Sequence, residues 1–335
     1  MHEYLQVFID EEYPEFIDKY LNTKTLNRLR SVTQFCGSDY TNLYSPRFLY
    51  TRFDHSLVVA HMTWHFTHDK KETIAALLHD IGTPCFAHCI DYVFGDYMQQ
   101  ESSERSIATV VQEDQELQSY LKMDGITSTD LEETKQYPIL ENKSPKLCTD
   151  RLDGVLHTCY IWLHTHPLNE ISEVYSDLIV LENEDSQKEI GFKTKDKAEK
   201  FTSMVEIYAK ELQGNTDKFV MQYISEAVKR LLSLGLIEKE DLYTKKESQI
   251  VDLLALNIPS WESFANATNI ERTTTAPDNF FISFDTKKRN TIPLVKTDQG
   301  PKRIDTIIPT VQDTYQKIAT YKDTKYAYVK SIKTI

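Results

Sequence analysis

Two histidines and two aspartates in this chain have the types and spacing to share one divalent cation. His55 follows Arg52-Phe-Asp, the adjacent pair His79-Asp80 closes an apolar run, and Asp150 opens Asp150-Arg-Leu-Asp153. Imidazole and carboxylate together suit a borderline or hard ion such as Zn, Mn, Fe or Ni. Four such ligands leave open positions for water and a phosphate oxygen, which is the arrangement of a hydrolytic centre. The ordinary alternative is a hydrogen-bonded core histidine beside a chance aspartate. It is the weaker reading, because an ionisable pair at the end of an apolar helix is costly to bury without a metal or partner.

These residues need helices to position them. Residues 72–79 are rich in Ala and Leu and are stopped by Gly82 and Pro84, so His79 and Asp80 fall at a helix end. Neighbours on a helix point about 100° apart, and both can face one ion only there. His55 opens a helix to Phe66 through Leu57, Val58, Val59 and Met62. Residues 147–164 read as one amphipathic helix on which Asp150, Asp153 and His157 share a face. Asp153 is placed behind the ligands, holding Arg52 or an imidazole. Arg52, one turn before His55, offers a fork of donors to phosphate, and Arg151 serves the opposite side. A salt bridge of either arginine with Asp54 or Asp153 is the structural alternative. His61, His65 and His68 read as an exposed helix surface, so a dinuclear centre is disfavoured.

The remaining chain supports a mainly α fold. Helices are expected over 25–35, 101–111 and 197–234, and a small hairpin over 174–192. Beyond Ile258 the segments 280–284, 292–295 and 326–329 are β-prone. The expectation is a helical body, residues 1–255, followed by a β-containing C-terminal lobe or arm, residues 256–335.

At 335 residues with 40% hydrophobic content, the chain can bury a sizeable core. No apolar run approaches the ~20 residues of a membrane span, and the N-terminus lacks the layout of a signal peptide. Five cysteines at unhelpful spacings read as free thiols, which points to a reducing cytoplasm. Net charge of −13 argues against nucleic acid as the main partner. The charge is uneven: residues 286–335 hold eleven Lys and Arg against four Asp. Such a basic segment can fold back on the acidic body, reach a neighbouring subunit or meet a phosphate, and a merely solvated face is equally open.

Taken together, the motifs resemble the HD-domain phosphohydrolase superfamily, and within it the deoxynucleoside-triphosphate triphosphohydrolase branch. Residues 25–35 with Gln34, ahead of Thr51-Arg52-Phe-Asp-His55-Ser-Leu, resemble that branch's opening. His79-Asp80-Ile-Gly-Thr-Pro-Cys-Phe-Ala-His88 resembles its central motif, and Asp150-Arg-Leu-Asp153 its third. The similarity covers about residues 22–165 and fades beyond.

The resemblance implies an HD-domain helical bundle with His55, His79, Asp80 and Asp150 as ligands of a divalent ion (Mn, Fe, Zn, Ni or Mg). It implies Arg52 and Arg151 on substrate phosphates, Gln34 on the sugar, His88 beside the phosphates, Lys200 as a phosphate contact and Tyr208 against the sugar. It also implies a homo-oligomer. For proton handling the candidates are His88 and Glu101, with His88 preferred as acid. Three positions depart from the branch: Thr83 and Gln100 each replace a histidine, and Gly154 replaces a tyrosine of the sugar pocket. The expected reaction is cleavage of a deoxynucleoside triphosphate to nucleoside and tripolyphosphate. The alternatives are hydrolysis of another nucleotide (as a monophosphatase, a cyclic-nucleotide phosphodiesterase or a modified-nucleotide hydrolase) and a nucleotide-binding sensor with weakened turnover.

Overall fold

Two helices joined by only two residues position three of the four expected ligands, His55 within the first and His79 and Asp80 just past the end of the second. Arg52–Thr67 begins at a reciprocal cap: Thr51 accepts from the Asp54 amide, and the Asp54 carboxylate accepts from the Thr51 amide at 2.9 Å. His68, with φ +47°, ends the helix. Asp69 then caps Lys70–Leu78 by accepting from the Glu72 amide at 2.9 Å. Both helices are buried on most faces, as a central pair in a helical layer must be. His61 is accordingly buried, against the Tyr13 ring, rather than on the exposed surface its spacing suggested.

The computed structural model describes residues 3–9, 12–95, 105–285 and 287–335, and it is mainly helical with small sheets. The expected fold class holds. Residues 147–164 are not one α-helix: Thr149–His157 passes into a π turn, Thr158–Trp162. Such turns insert an extra residue and recur near functional sites. The long helical stretch after 195 is two helices, Lys195–Gln213 and Asn215–Ser233, separated at Gly214. One large apolar core includes Leu26, Leu29, Val58, Leu77, Leu152 and Phe201. A second core gathers Phe86, Phe219, Tyr223, Leu254 and Phe264 around Asn215–Ser233. Among the described residues, no helix is long and apolar enough to cross a membrane.

The expected hairpin forms as β1 (Leu178–Glu182) and β2 (Lys188–Phe192), paired antiparallel. Strands β3 (Glu271–Thr273), β4 (Phe281–Ile282), β5 (Leu294–Val295), β6 (Lys302–Arg303) and β7 (Tyr326–Tyr328) follow. They divide between two sheets, one in the order β1-β2-β5-β6 and the other β3-β7-β4. The parallel β2–β5 pairing places Gly191 opposite Leu294, where a Cβ would lie 2.8 Å from the Leu294 carbonyl oxygen. Strand pairing therefore crosses the 255/256 boundary that composition suggested, and residues 256–335 also contain the helix Pro309–Thr320.

The pairing is reinforced by a buried charge. Arg303 donates to both carboxylate oxygens of Glu189, Nη2 at 2.7 Å, and Glu189 is fully buried. Glu189 also accepts from the Leu147 amide at 3.0 Å, just ahead of the helix that carries Asp150. Arg303→Ala strands the buried carboxylate and is expected to cost about 3–5 kcal/mol. Urea unfolding should show the loss as a lower midpoint, and an unchanged midpoint would mean the pair is not a clamp.

Candidate metal centre and substrate cavity

The four expected ligands converge. His55 lies on the first turn of Arg52–Thr67, with Nε2 3.2 Å from Asp150 Oδ1 and 3.9 Å from Asp80 Oδ2. His79 lies just past Leu78, with Nε2 3.8 Å from both Asp80 Oδ1 and Asp150 Oδ1. Metal–ligand bonds of about 2.0–2.2 Å place neighbouring ligand atoms about 2.8–3.6 Å apart. The cluster thus needs only a slight contraction to surround one ion.

Each imidazole is oriented for this task. The His79 Nδ1–H donates to the Ala76 carbonyl at 2.7 Å, and the buried Nε2 has no hydrogen-bond partner. A buried nitrogen aimed at two carboxylates without a hydrogen bond is what a cation site requires. His55 Nδ1–H donates to Asp153 at 2.6 Å, which turns its Nε2 inward. Asp150 is the exposed member, its side chain 39% accessible on the cavity side.

The electrostatics favour positive charge. Burial works against a charged His55, but hydrogen bonds to Asp150 and Asp153 raise its pKa to about 10. His79 is also raised, by Asp80 and Asp150 against burial. Burial opposes ionisation of Asp80, yet Arg52 and then His79 hold its carboxyl below the usual range. Asp150 is held low by both histidines, again against burial. A divalent cation can take the place of the protons that these groups would otherwise hold.

Asp153 stands behind the cluster. Fully buried, it accepts from Tyr4 at 2.6 Å, Tyr50 at 3.0 Å, His55 at 2.6 Å and His157 at 3.2 Å. The trio His55, Asp153 and His157 could also hold an ion on distances alone. With four donors already on its two oxygens, Asp153 acts instead as the brace that aims His55. The sequence reading placed Asp153 behind the ligands, holding Arg52 or an imidazole, and the imidazole of His55 is what it holds; nothing local marks Tyr4 or Tyr50.

A cavity of about 170 Å³ opens beside the ligands. Gln34, Arg52, His55, His88, Asp150, Arg151 and Tyr208 line it. The Gln34 Oε1 atom is buried without a hydrogen-bond partner. Arg52 donates to Asp80 at 2.9 Å, not to Asp54 or Asp153. Arg151 is held by the Lys146 and Asn142 carbonyls, at 2.9 and 2.6 Å. His88 Nδ1 lies 3.1 Å from Asp91, and burial, opposed by Asp91, lowers its pKa. Lys200 is not brought to the cavity: its ammonium lies 3.1 Å from Glu170, on the outer face of its helix. Glu101 and Gln100 lie outside the described residues.

Two of the departures have local explanations. The Thr83 hydroxyl donates to Asp80 at 3.3 Å, so the residue supports a ligand where the branch carries an imidazole. A Cβ on Gly154 would lie 3.8 Å from the Tyr208 hydroxyl, an ordinary contact distance, so Tyr208 is the neighbour that a side chain there would meet.

No family model matches the chain. It is 26% identical over 243 residues to the uncharacterized protein YdhJ of Bacillus subtilis, covering 71% of this chain and 70% of that protein. To the uncharacterized protein MJ1154 of Methanocaldococcus jannaschii it is 27% identical over 161 residues, covering 46% and 31% of the two. To the metal-dependent phosphohydrolase cns2 of Cordyceps militaris it is 29% identical over 141 residues, covering 41% of this chain and 38% of that one. The last two matches thus span well under half of those proteins. A crystal structure of a hypothetical protein from Aquifex aeolicus superposes with a TM-score of 0.58 at 16% identity, over 93% of this chain and 91% of that one. That likeness shows the fold alone. The match to a metal-dependent phosphohydrolase supports the HD superfamily. It does not reach the triphosphohydrolase branch.

Tyr4→Phe removes a donor from Asp153 and leaves every ligand in place. Metal affinity, titrated by competition with a chromophoric chelator, is expected to fall about 10–100-fold. Unchanged affinity would show that Tyr4 only packs.

Proposed function

We propose that this chain is a metal-dependent phosphohydrolase of the HD type acting on a nucleotide. We further propose cleavage of a deoxynucleoside triphosphate to nucleoside and tripolyphosphate. The observation that carries the reading is the convergence of His55, His79, Asp80 and Asp150 around a buried, unpartnered imidazole nitrogen beside a cavity. The likeness to a metal-dependent phosphohydrolase supports the same chemistry.

A bound divalent cation supplies Lewis acidity toward a phosphoryl oxygen and acidifies water. The chain's own residues do the rest. Arg52, anchored on Asp80, presents positive charge to the reacting phosphate without having to reorganise. Gln34, with an unsatisfied buried oxygen, accepts a sugar hydroxyl, and Tyr208 packs on the sugar over Gly154. Hydrolysis adds water across the bond between the α-phosphorus and the 5′ oxygen, and the leaving oxygen takes up a proton. His88 stands in the cavity wall for that transfer. Its lowered pKa keeps it neutral at rest, and an arriving phosphate charge favours its protonation.

Metal-loaded protein should release tripolyphosphate, resolved by anion-exchange chromatography, from at least one deoxynucleoside triphosphate. Release of only orthophosphate would refute the triphosphohydrolase assignment, and no turnover across a nucleotide panel would refute the hydrolase. His79→Ala should lose both bound metal, by elemental analysis, and turnover. His88→Gln should keep its metal and lower kcat about 10²–10⁴-fold. An undiminished kcat would remove His88 from proton transfer.

A further inference from the structure

Each of the three cations that the motifs assign to phosphate also has a partner within the protein. Arg52 points at Asp80, Arg151 at two backbone carbonyls, and Lys200 at Glu170 outside the cavity. A polyphosphate chain carries more charge than those groups can meet. Two other cations line the same cavity, Lys287 and Arg289, more than 130 residues after the last ligand. Both are half-buried and belong to the coil between β4 and β5.

This coil is held in place next to the ligand helix. Ser144 donates to the Asn290 carbonyl at 3.0 Å, and the Ile292 amide donates to the Pro145 carbonyl at 2.8 Å. Residues 144–145 lie just before Thr149–His157, which carries Asp150. Lys288, between the two cations, is turned away to the Tyr321 carbonyl at 2.7 Å. The backbone around Arg289 is therefore tethered to the same loop that leads into the metal cluster. The charge of Arg289 acts on His88, Tyr208 and Asp217, all in the cavity wall, although burial is the larger influence on each.

We propose that Lys287 and Arg289 are substrate-binding residues that grip a phosphate other than the one at the His/Asp cluster, so that the C-terminal segment completes the site. The assignment rests on the phosphohydrolase reading. Arg289 supplies a planar fork matched to two phosphate oxygens, and Lys287 a mobile point charge. It gives two of the eleven cations of the basic segment a role as a substrate contact.

The test is calorimetric titration of the metal-loaded protein with inorganic tripolyphosphate and, separately, orthophosphate at fixed ionic strength. Wild type should bind tripolyphosphate at least tenfold more tightly than orthophosphate. The double variant Lys287→Gln/Arg289→Gln should lose at least tenfold for tripolyphosphate and little for orthophosphate, with metal content and melting temperature unchanged. Arg289→Lys should fall between. If the double variant does not fold, the single variant Lys287→Gln should still show a several-fold loss confined to tripolyphosphate. Equal affinity of wild type for the two anions, or wild-type affinity for tripolyphosphate in the folded variants, overturns the proposal. Binding is read here without turnover, so a protein that binds tripolyphosphate through these residues but hydrolyses nothing would refute the hydrolase and leave the anion grip standing.

Discussion

The site depends on one hydrogen bond, from His55 Nδ1 to a fully buried Asp153. An imidazole can present a lone pair to a cation at one nitrogen only when the other carries the proton, and Asp153 enforces that choice at 2.6 Å. The Ala76 carbonyl does the same for His79. Four donors converge on Asp153, Tyr4, Tyr50, His55 and His157, and the two histidines hold its carboxyl low against burial. A buried carboxylate without those donors would take a proton and release its hold on the imidazole. The metal cluster is thus only as well aimed as the network behind it.

The same economy runs through the C-terminal half. Glu189 joins three parts of the chain: the loop before Asp150 through the Leu147 amide, the hairpin β1–β2, and β6 through Arg303. Burying this pair has a desolvation cost, which is offset because both carboxylate oxygens are engaged by donors. In return the basic segment acquires a fixed position relative to the ligand helix. A floating arm would lose a large conformational entropy on each binding event, whereas strands β5 and β6 meet that cost once, on folding.

Two of the positions at which this chain departs from the motifs it resembles have defined surroundings. Thr83 keeps a hydrogen bond to Asp80, and the Tyr208 hydroxyl lies beside Gly154. Neither substitution leaves a hole at the metal.

From the amino acids alone one could read the candidate ligands and the helices that position them. Apolar periodicity around His55, the Gly82–Pro84 stop after His79-Asp80 and the Asp150-Asp153-His157 spacing are local signals, and local signals survive without a fold. The small hairpin and the β-prone tail segments were legible for the same reason. What the tertiary structure alone decided is which distant groups meet. Tyr4 and Tyr50 reach Asp153 across 149 and 103 residues, and Lys287 and Arg289 arrive at the cavity through strand pairing that composition had assigned to a separate lobe. Lys200 illustrates the converse: the family resemblance implied a phosphate contact, but its ammonium lies 3.1 Å from Glu170. A residue type states what chemistry is available. Only closure of the chain states where it is delivered.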